Sequence, residues 1–120
     1  LTNIDRWWFE TLAEGELPGS VEDWSDDGRD GWRPVKRSDV RRSYELWMAG
    51  RRHQGDVLDP RAFGKALRRL CPEIADARLE TQGESRAQAY KFPPLSECRG
   101  LFAEAVGIST DDCQWAGENG

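Results

Sequence analysis

Val57-Leu58-Asp59-Pro60-Arg61-Ala62-Phe63-Gly64-Lys65-Ala66-Leu67-Arg68-Arg69-Leu70-Cys71-Pro72 is the stretch on which the fold turns. Asp59 before Pro60 is a helix start. The aspartate can cap the first free N–H groups, and a proline at the first helical position gives up an N–H that has no partner there. Phe63, Leu67 and Leu70 recur at helical spacing and mark a face for the core. Arg61, Lys65 and Arg68 recur at the same spacing on another face, with Arg69 beside them. Pro72 lies just past the end. Gly64 inside the helix costs about 1 kcal/mol relative to alanine, and a close helix contact is the expected reason. The segment therefore reads as a short helix, apolar on one side and strongly basic on the other.

Beyond Pro72 the hydrophobic period drops from about 3.6 to 2. Residues 75–82 and 86–92 read as two strands around Gly83-Glu84-Ser85. Ala77, Leu79 and Thr81 alternate with Arg78, Glu80 and Gln82, and Tyr90 and Phe92 are the core anchors of the return strand. Pro93-Pro94 closes it. Leu95, Cys98, Leu101, Phe102, Ala105 and Val106 then mark a closing helix that ends at Gly107.

Upstream, Ser38 to Ala49 reads as a helix with Ser38 as N-cap and Asp39 in its first turn. Val40, Tyr44, Trp47 and Met48 form its apolar stripe, while Arg41, Arg42 and Glu45 point elsewhere. The first helix spans Thr2 to Glu14. Thr2 and Asp5 have capping-box spacing, Ile4, Trp8 and Leu12 share one face, and Trp7 and Phe9 lie off it, so this helix packs on two sides. Residues 15–33 are rich in Gly, Pro, Asp and Glu without periodicity and read as a loop or linker, with Trp24 and Trp32 as anchors.

A chain of 120 residues fits one domain. It divides into residues 1–32, an N-terminal helix and acidic linker; 33–107, the main domain; and 108–120, a polar tail. The charge follows these lines. Residues 1–32 carry nine acids against two bases, 33–91 fourteen bases against eight acids, and 92–120 five acids against one base. A basic middle between acidic flanks says more about partners than the net −5. No stretch approaches the ~18 apolar residues of a membrane helix, and no signal peptide is visible. A start at Leu1 is expected of a fragment or processed product.

Catalytic and metal readings are poorly supported by the motifs. Cys71, Cys98 and Cys113 are widely spaced with no C-x-x-C, and His53 is the single histidine, so neither a disulfide framework nor a zinc site is expected. Free thiols fit a reducing, cytoplasmic setting. Asp23, Asp26, Asp27 and Asp30 lack the order and closing Glu of a calcium loop and read as a solvated linker. No phosphate-binding loop is present and His53 has no nucleophile at recognisable spacing, so no catalytic residue, cofactor or metal is assigned.

The element order is helix, helix, basic helix, β-hairpin, closing helix. The expected fold class is α+β, mainly helical: a winged helix-turn-helix with an extra N-terminal helix and a closing C-terminal helix, the third helix in the recognition position and the hairpin as wing. A helix about 10–12 Å wide fits the major groove. Lysine and arginine neutralise phosphates, and arginine can fork onto a guanine edge. The same fold also serves as a protein-interaction module.

The 57–72 stretch, with its Phe-Gly-Lys-x-Leu-Arg core and the hairpin carrying Tyr90 on its return strand, resembles the RFX-type winged helix. A similar pattern stands at the C-terminal end of phage and prophage primase-helicases, after their superfamily 3 helicase domain. Trp7-Trp8-Phe9, Leu17-Pro18, Tyr44-x-x-Trp47 and Phe92-Pro93-Pro94-Leu95-x-x-Cys98-Arg99 resemble that phage family too, covering most of residues 4–102. The resemblance implies a non-catalytic DNA-binding domain of a phage-type replication primase-helicase in a bacterial host cytoplasm. Its partners would be DNA, duplex favoured, and other replication proteins or the rest of a parent helicase chain. The hairpin departs from the densely basic RFX wing by mixing Glu80 and Glu84 with Arg78, Arg86 and Lys91. The expected DNA contacts are therefore Arg61, Lys65, Arg68 and Arg69, with Arg86 and Lys91 in support. Two alternatives are a protein-interaction winged helix joining a replicative helicase to a partner, and a small transcriptional regulator.

Overall fold

A computed structural model describes residues 2–18, 33–50, 56–79 and 87–107. The chain runs α1 (Asn3–Glu14), β1 (Arg33–Lys36), α2 (Arg37–Ala49), α3 (Pro60–Leu70), β2 (Ala75–Leu79), β3 (Ala87–Phe92) and α4 (Leu95–Val106). It is an α+β fold, mainly helical, with one three-stranded antiparallel sheet in the order β1-β3-β2. None of these helices is long and apolar enough to cross a membrane. The acidic stretch with Asp23, Asp26, Asp27 and Asp30, the residues His53, Arg86 and Cys113, and the tail 108–120 lie outside the described residues.

The helix ends follow from local chemistry. Thr2 Oγ1 accepts from the Asp5 N–H and the Asp5 carboxylate accepts from the Thr2 N–H, a reciprocal cap at the start of α1. Gly15 ends that helix at φ +73°, a left-handed conformation that glycine adopts without Cβ strain. Asp59 Oδ1 accepts from the Ala62 N–H at 2.8 Å, with Pro60 next. The start of α2 differs from the sequence reading. Ser38 is not its N-cap; the helix begins at Arg37 straight out of β1, and Lys36 occupies the cap position with no side-chain hydrogen bond.

β1 falls almost wholly in the gap that the periodicity reading leaves unassigned, between the loop ending at residue 33 and the helix starting at Ser38. It pairs antiparallel with β3, Val35 opposite Tyr90 and Pro34 opposite Lys91. As an edge strand it tolerates Pro34, which has no N–H to donate. On the other side β2 pairs with β3, Asp76 opposite Tyr90 and Arg78 opposite Gln88.

The core is aromatic and draws on every helix. Trp7, Trp8 and Leu12 of α1 are buried with Tyr44 of α2, Phe63 and Leu67 of α3, Phe92 of β3 and Phe102 of α4. Trp8 stacks against Phe92 at 5.4 Å between ring centroids, and Trp7 meets Phe63 at 5.6 Å and Tyr44 at 5.8 Å. Phe9 packs on Phe102 at 5.8 Å, so α1 does pack on two sides. The α1 helix thus belongs to the same core as residues 33–107. Trp47 is only half-buried, its indole N–H donating to Glu10 Oε2 at 3.0 Å. Arg99 of α4 donates twice to the Leu12 carbonyl, at 3.0 and 2.8 Å, closing the C-terminal end of α1.

One expectation is revised by the packing. A Cβ on Gly64 would meet the Tyr90 hydroxyl at 3.7 Å, an ordinary contact, so no close helix approach accounts for the glycine. Gly64→Ala should therefore stabilise the fold by about 0.5–1 kcal/mol through helix propensity, read as a higher midpoint in urea with an unchanged slope. Cys71 and Cys98 are free thiols, buried, with sulfurs 3.9 Å apart, and Cys98 donates to the Pro93 carbonyl. Burial pushes the Cys98 thiol far above its ordinary range, so it stays protonated and packs as a small apolar group.

Candidate nucleic-acid interface

Helix α3 buries Phe63, Leu67 and Leu70, which turns Arg61, Lys65, Arg68 and Arg69 outward. The four basic side chains then separate. Arg61 and Lys65 are exposed and make no ion pair among the described residues. Arg69 turns towards α1, where its Nη2 lies 2.6 Å from Asp5 Oδ1. Asp5 is buried, its other oxygen held by the Thr2 N–H, so Arg69 neutralises a capping carboxylate that packing has taken out of water. That makes Arg69 a tie between α1 and α3 before it is anything else.

Arg68 turns the opposite way, to Asp76 on β2. Its Nη2 and that of Arg37 each stand 2.5 Å from Asp76 Oδ1. The hydrogen bond from Arg68 is the main reason the Asp76 carboxyl sits below its ordinary range, with the charges of Arg68 and Arg37 adding to it. Asp76 is largely exposed, which screens these pairs and keeps their contribution to stability small. Because its folded-state pKa is lowered, that contribution is complete above the ordinary carboxylate pKa and fades as pH falls through the lowered value.

Tyr90 binds the cluster from below. The guanidinium carbons of Arg37 and Arg68 lie 4.9 and 5.8 Å from its ring centroid. Strand alternation puts Asp76 and Arg78 on the Tyr90 face, and Arg78 and Arg37 line one cleft with Asp76 and Gln88. Lys91, next to Tyr90 in β3, is exposed on the opposite face of the sheet by the same alternation. The structure therefore gathers Arg68 with Arg37 and Arg78, leaves Arg61 and Lys65 further along α3, and sets Arg69 and Lys91 apart. Arg86 is outside the described residues.

Arg37 and Arg41 are the residues that the sequence reading missed. Their i, i+4 spacing at the start of α2 was visible, but the stripe of Val40, Tyr44 and Met48 assigns Arg41 to the outside. In the fold α3 covers it: Arg41 lies over the rings of Tyr44 and Phe63, 5.5 and 5.4 Å from their centroids.

Comparison with protein-family models, curated proteins and solved structures finds no match for this chain.

Proposed function

We propose that this chain is a winged helix-turn-helix that binds DNA through α3 and the neighbouring arginines of α2 and β2, without catalysing a reaction itself. The observation that carries this reading is the exposed face of α3. Phe63, Leu67 and Leu70 fix the helix on the core, and the opposite side offers Arg61, Lys65 and Arg68 to a polyanion. The strand order β1-β3-β2 supports it, because β1 enters between the first two helices and ties the hairpin strands beside α3. A setting within a phage-type primase-helicase remains part of the proposal and rests on the sequence resemblance. So do the expected sites: Arg61, Lys65 and Arg68 first, Lys91 and Arg86 as peripheral contacts, and Arg69 chiefly as a structural tie.

Titrating a labelled short duplex and a single strand of the same sequence at about 50 and 200 mM salt tests the reading. Duplex binding that weakens steeply with salt is expected. No affinity for either strand form at the lower salt would sink it.

Asp76 gives the reading a sharper test. Its carboxylate occupies the Nη2 groups of Arg37 and Arg68 that a phosphate would otherwise take. Asp76→Asn should tighten duplex binding by roughly 1 kcal/mol, about fivefold at low salt, while costing the fold under ~1 kcal/mol. Weaker binding in the variant would mean that Asp76 presents the arginines rather than competing for them.

The second reading, a protein-interaction winged helix, draws on Leu46 and Val57, two large apolar side chains left exposed at 63% and 49%. Both lie near the α2–α3 connection, away from the Asp76 cluster in sequence.

A further inference from the structure

β2 is an edge of the sheet β1-β3-β2. β3 takes one of its sides, and among the described residues no backbone group of Ala75–Leu79 bonds to anything else. An antiparallel ladder uses alternate residues of a strand, so the remaining N–H and C=O groups of β2 point away from β3 as an open row. Edges are commonly closed by a proline or a bulge. Pro34 serves that purpose in β1 at the opposite edge. β2 has no proline, and its register with β3 runs without a bulge from Ala75 to Leu79.

The side chains along this edge carry complementary groups. Asp76 and Arg78 are exposed, opposite in sign and on one face, two positions apart. Arg37 and Arg68 both bond Oδ1 of Asp76, and its Oδ2 holds no hydrogen bond among the described residues. Arg78 has neither an ion pair nor a hydrogen bond there. An open acceptor and an open donor therefore stand next to each other on an unpaired edge. Ala75 and Ala77, on the other face, add no bulk that would bar a second strand.

The geometry points to a two-fold contact between two copies of this chain, in which β2 of one pairs antiparallel with β2 of the other. Such a contact is isologous, so one strand must complement itself. Charge selects the register. Centred on Ala77, Asp76 of each copy lies opposite Arg78 of the other on the same face, at the ~4.5–5.5 Å of directly opposed residues. Centring on Asp76 or on Arg78 sets like charges against each other. A slip of one residue turns the second copy over and separates the charges. In the Ala77 register Arg37 and Arg68 keep Oδ1, and Oδ2 takes Arg78 of the other copy. The axis stands perpendicular to the joined sheet, so both copies turn their Tyr90 faces and arginines the same way.

Sedimentation velocity of the whole chain without DNA, from about 10 µM to about 1 mM, tests the contact independently of the DNA reading. The wild type should pass from monomer to a species of twice the mass. Arg78→Asp gives each edge two acids, makes both cross-strand pairs repulsive and should weaken dimerisation roughly tenfold or more. Arg78 has no partner within the chain, so the melting temperature of the dilute variant should move by no more than about 2 °C. Asp76→Arg gives the complementary edge of two bases. Mixed in equal amounts, the two variants should form a one-to-one dimer at concentrations where each alone stays monomeric.

If Asp76→Arg does not fold, Ala77→Cys in a Cys113→Ser background replaces it. The two new thiols meet across the axis, within the ~4.4–6.8 Å Cα separation of a disulfide, and oxidised glutathione should link the copies through them. Ala75→Cys, opposite Leu79 in this register, should not link. A wild type monomeric at about 1 mM overturns the contact. So does a dimer that Arg78→Asp leaves intact, a mixture of folded variants that does not pair, or linking through Ala75→Cys in preference to Ala77→Cys.

Discussion

Trp8→Ala should destabilise the fold by about 3–5 kcal/mol, in the range found when a large core aromatic is emptied. Trp8 is fully enclosed, stacked against Phe92 of β3 and beside Trp7, so its removal opens a cavity where α1 meets the sheet. Trp7 is itself held by Tyr44 and Phe63, and Phe92 by Tyr90, so the surrounding rings can collapse only partly. A domain of this size holds about 5–15 kcal/mol in total, so the variant would keep a marginal fold and melt roughly 10–20 °C lower. Trp47→Ala is the control: Trp47 is half-buried, and its loss should cost clearly less. A Trp8→Ala cost below ~1 kcal/mol in a urea titration would mean that α1 is an appendage rather than a wall of the core.

That result bears on which parts of this molecule can be read along the chain. Elements whose signals are local were legible. The Thr2–Asp5 cap, Asp59-Pro60, and the stripes of α3 and α4 each depend on neighbours within one or two turns. β1 was not, because Arg33-Pro34-Val35-Lys36 has one buried residue and no alternation to detect. Its strand conformation is imposed by β3, more than fifty residues away, and once it is extended the start of α2 moves from Ser38 to the end of the strand. The candidate site divides in the same way. The exposed side of α3 follows from its apolar side, so Arg61 and Lys65 could be placed from spacing alone. Arg68 and Arg69 are adjacent in sequence, yet one pairs with Asp76 and the other with Asp5, sixty-four positions away. No local pattern distinguishes a free arginine from one whose carboxylate arrives from another element. Arg41 shows the converse case, since a residue off the apolar stripe of its own helix is covered by the next one.

This separation also decides which charges to reverse. Arg61→Glu with Lys65→Glu should reduce duplex binding at about 50 mM salt by two orders of magnitude or more and lower its salt slope by about 2, roughly 0.9 for each phosphate that is no longer neutralised. Both side chains are exposed, neither has an ion-pair partner among the described residues, and both lie across the helix from Phe63, Leu67 and Leu70. The melting temperature should therefore move by no more than about 2 °C, as for surface substitutions in general. Arg68 is left out on purpose. A glutamate there would face Asp76 and strip it of a hydrogen bond, so weakened binding could no longer be told from a disturbed β2–α3 junction. Arg69→Glu is excluded for a stronger reason, since it would leave the buried Asp5 against a like charge. If the double variant binds duplex as the wild type does, phosphates meet the Arg37–Arg68–Arg78 side and the length of α3 is free for something else. If the wild type binds no DNA at this salt, where phosphate contacts are strongest, the basic face is better assigned to an acidic protein partner. The same double variant should then abolish that capture, because an acidic partner would be held by the same two positive charges.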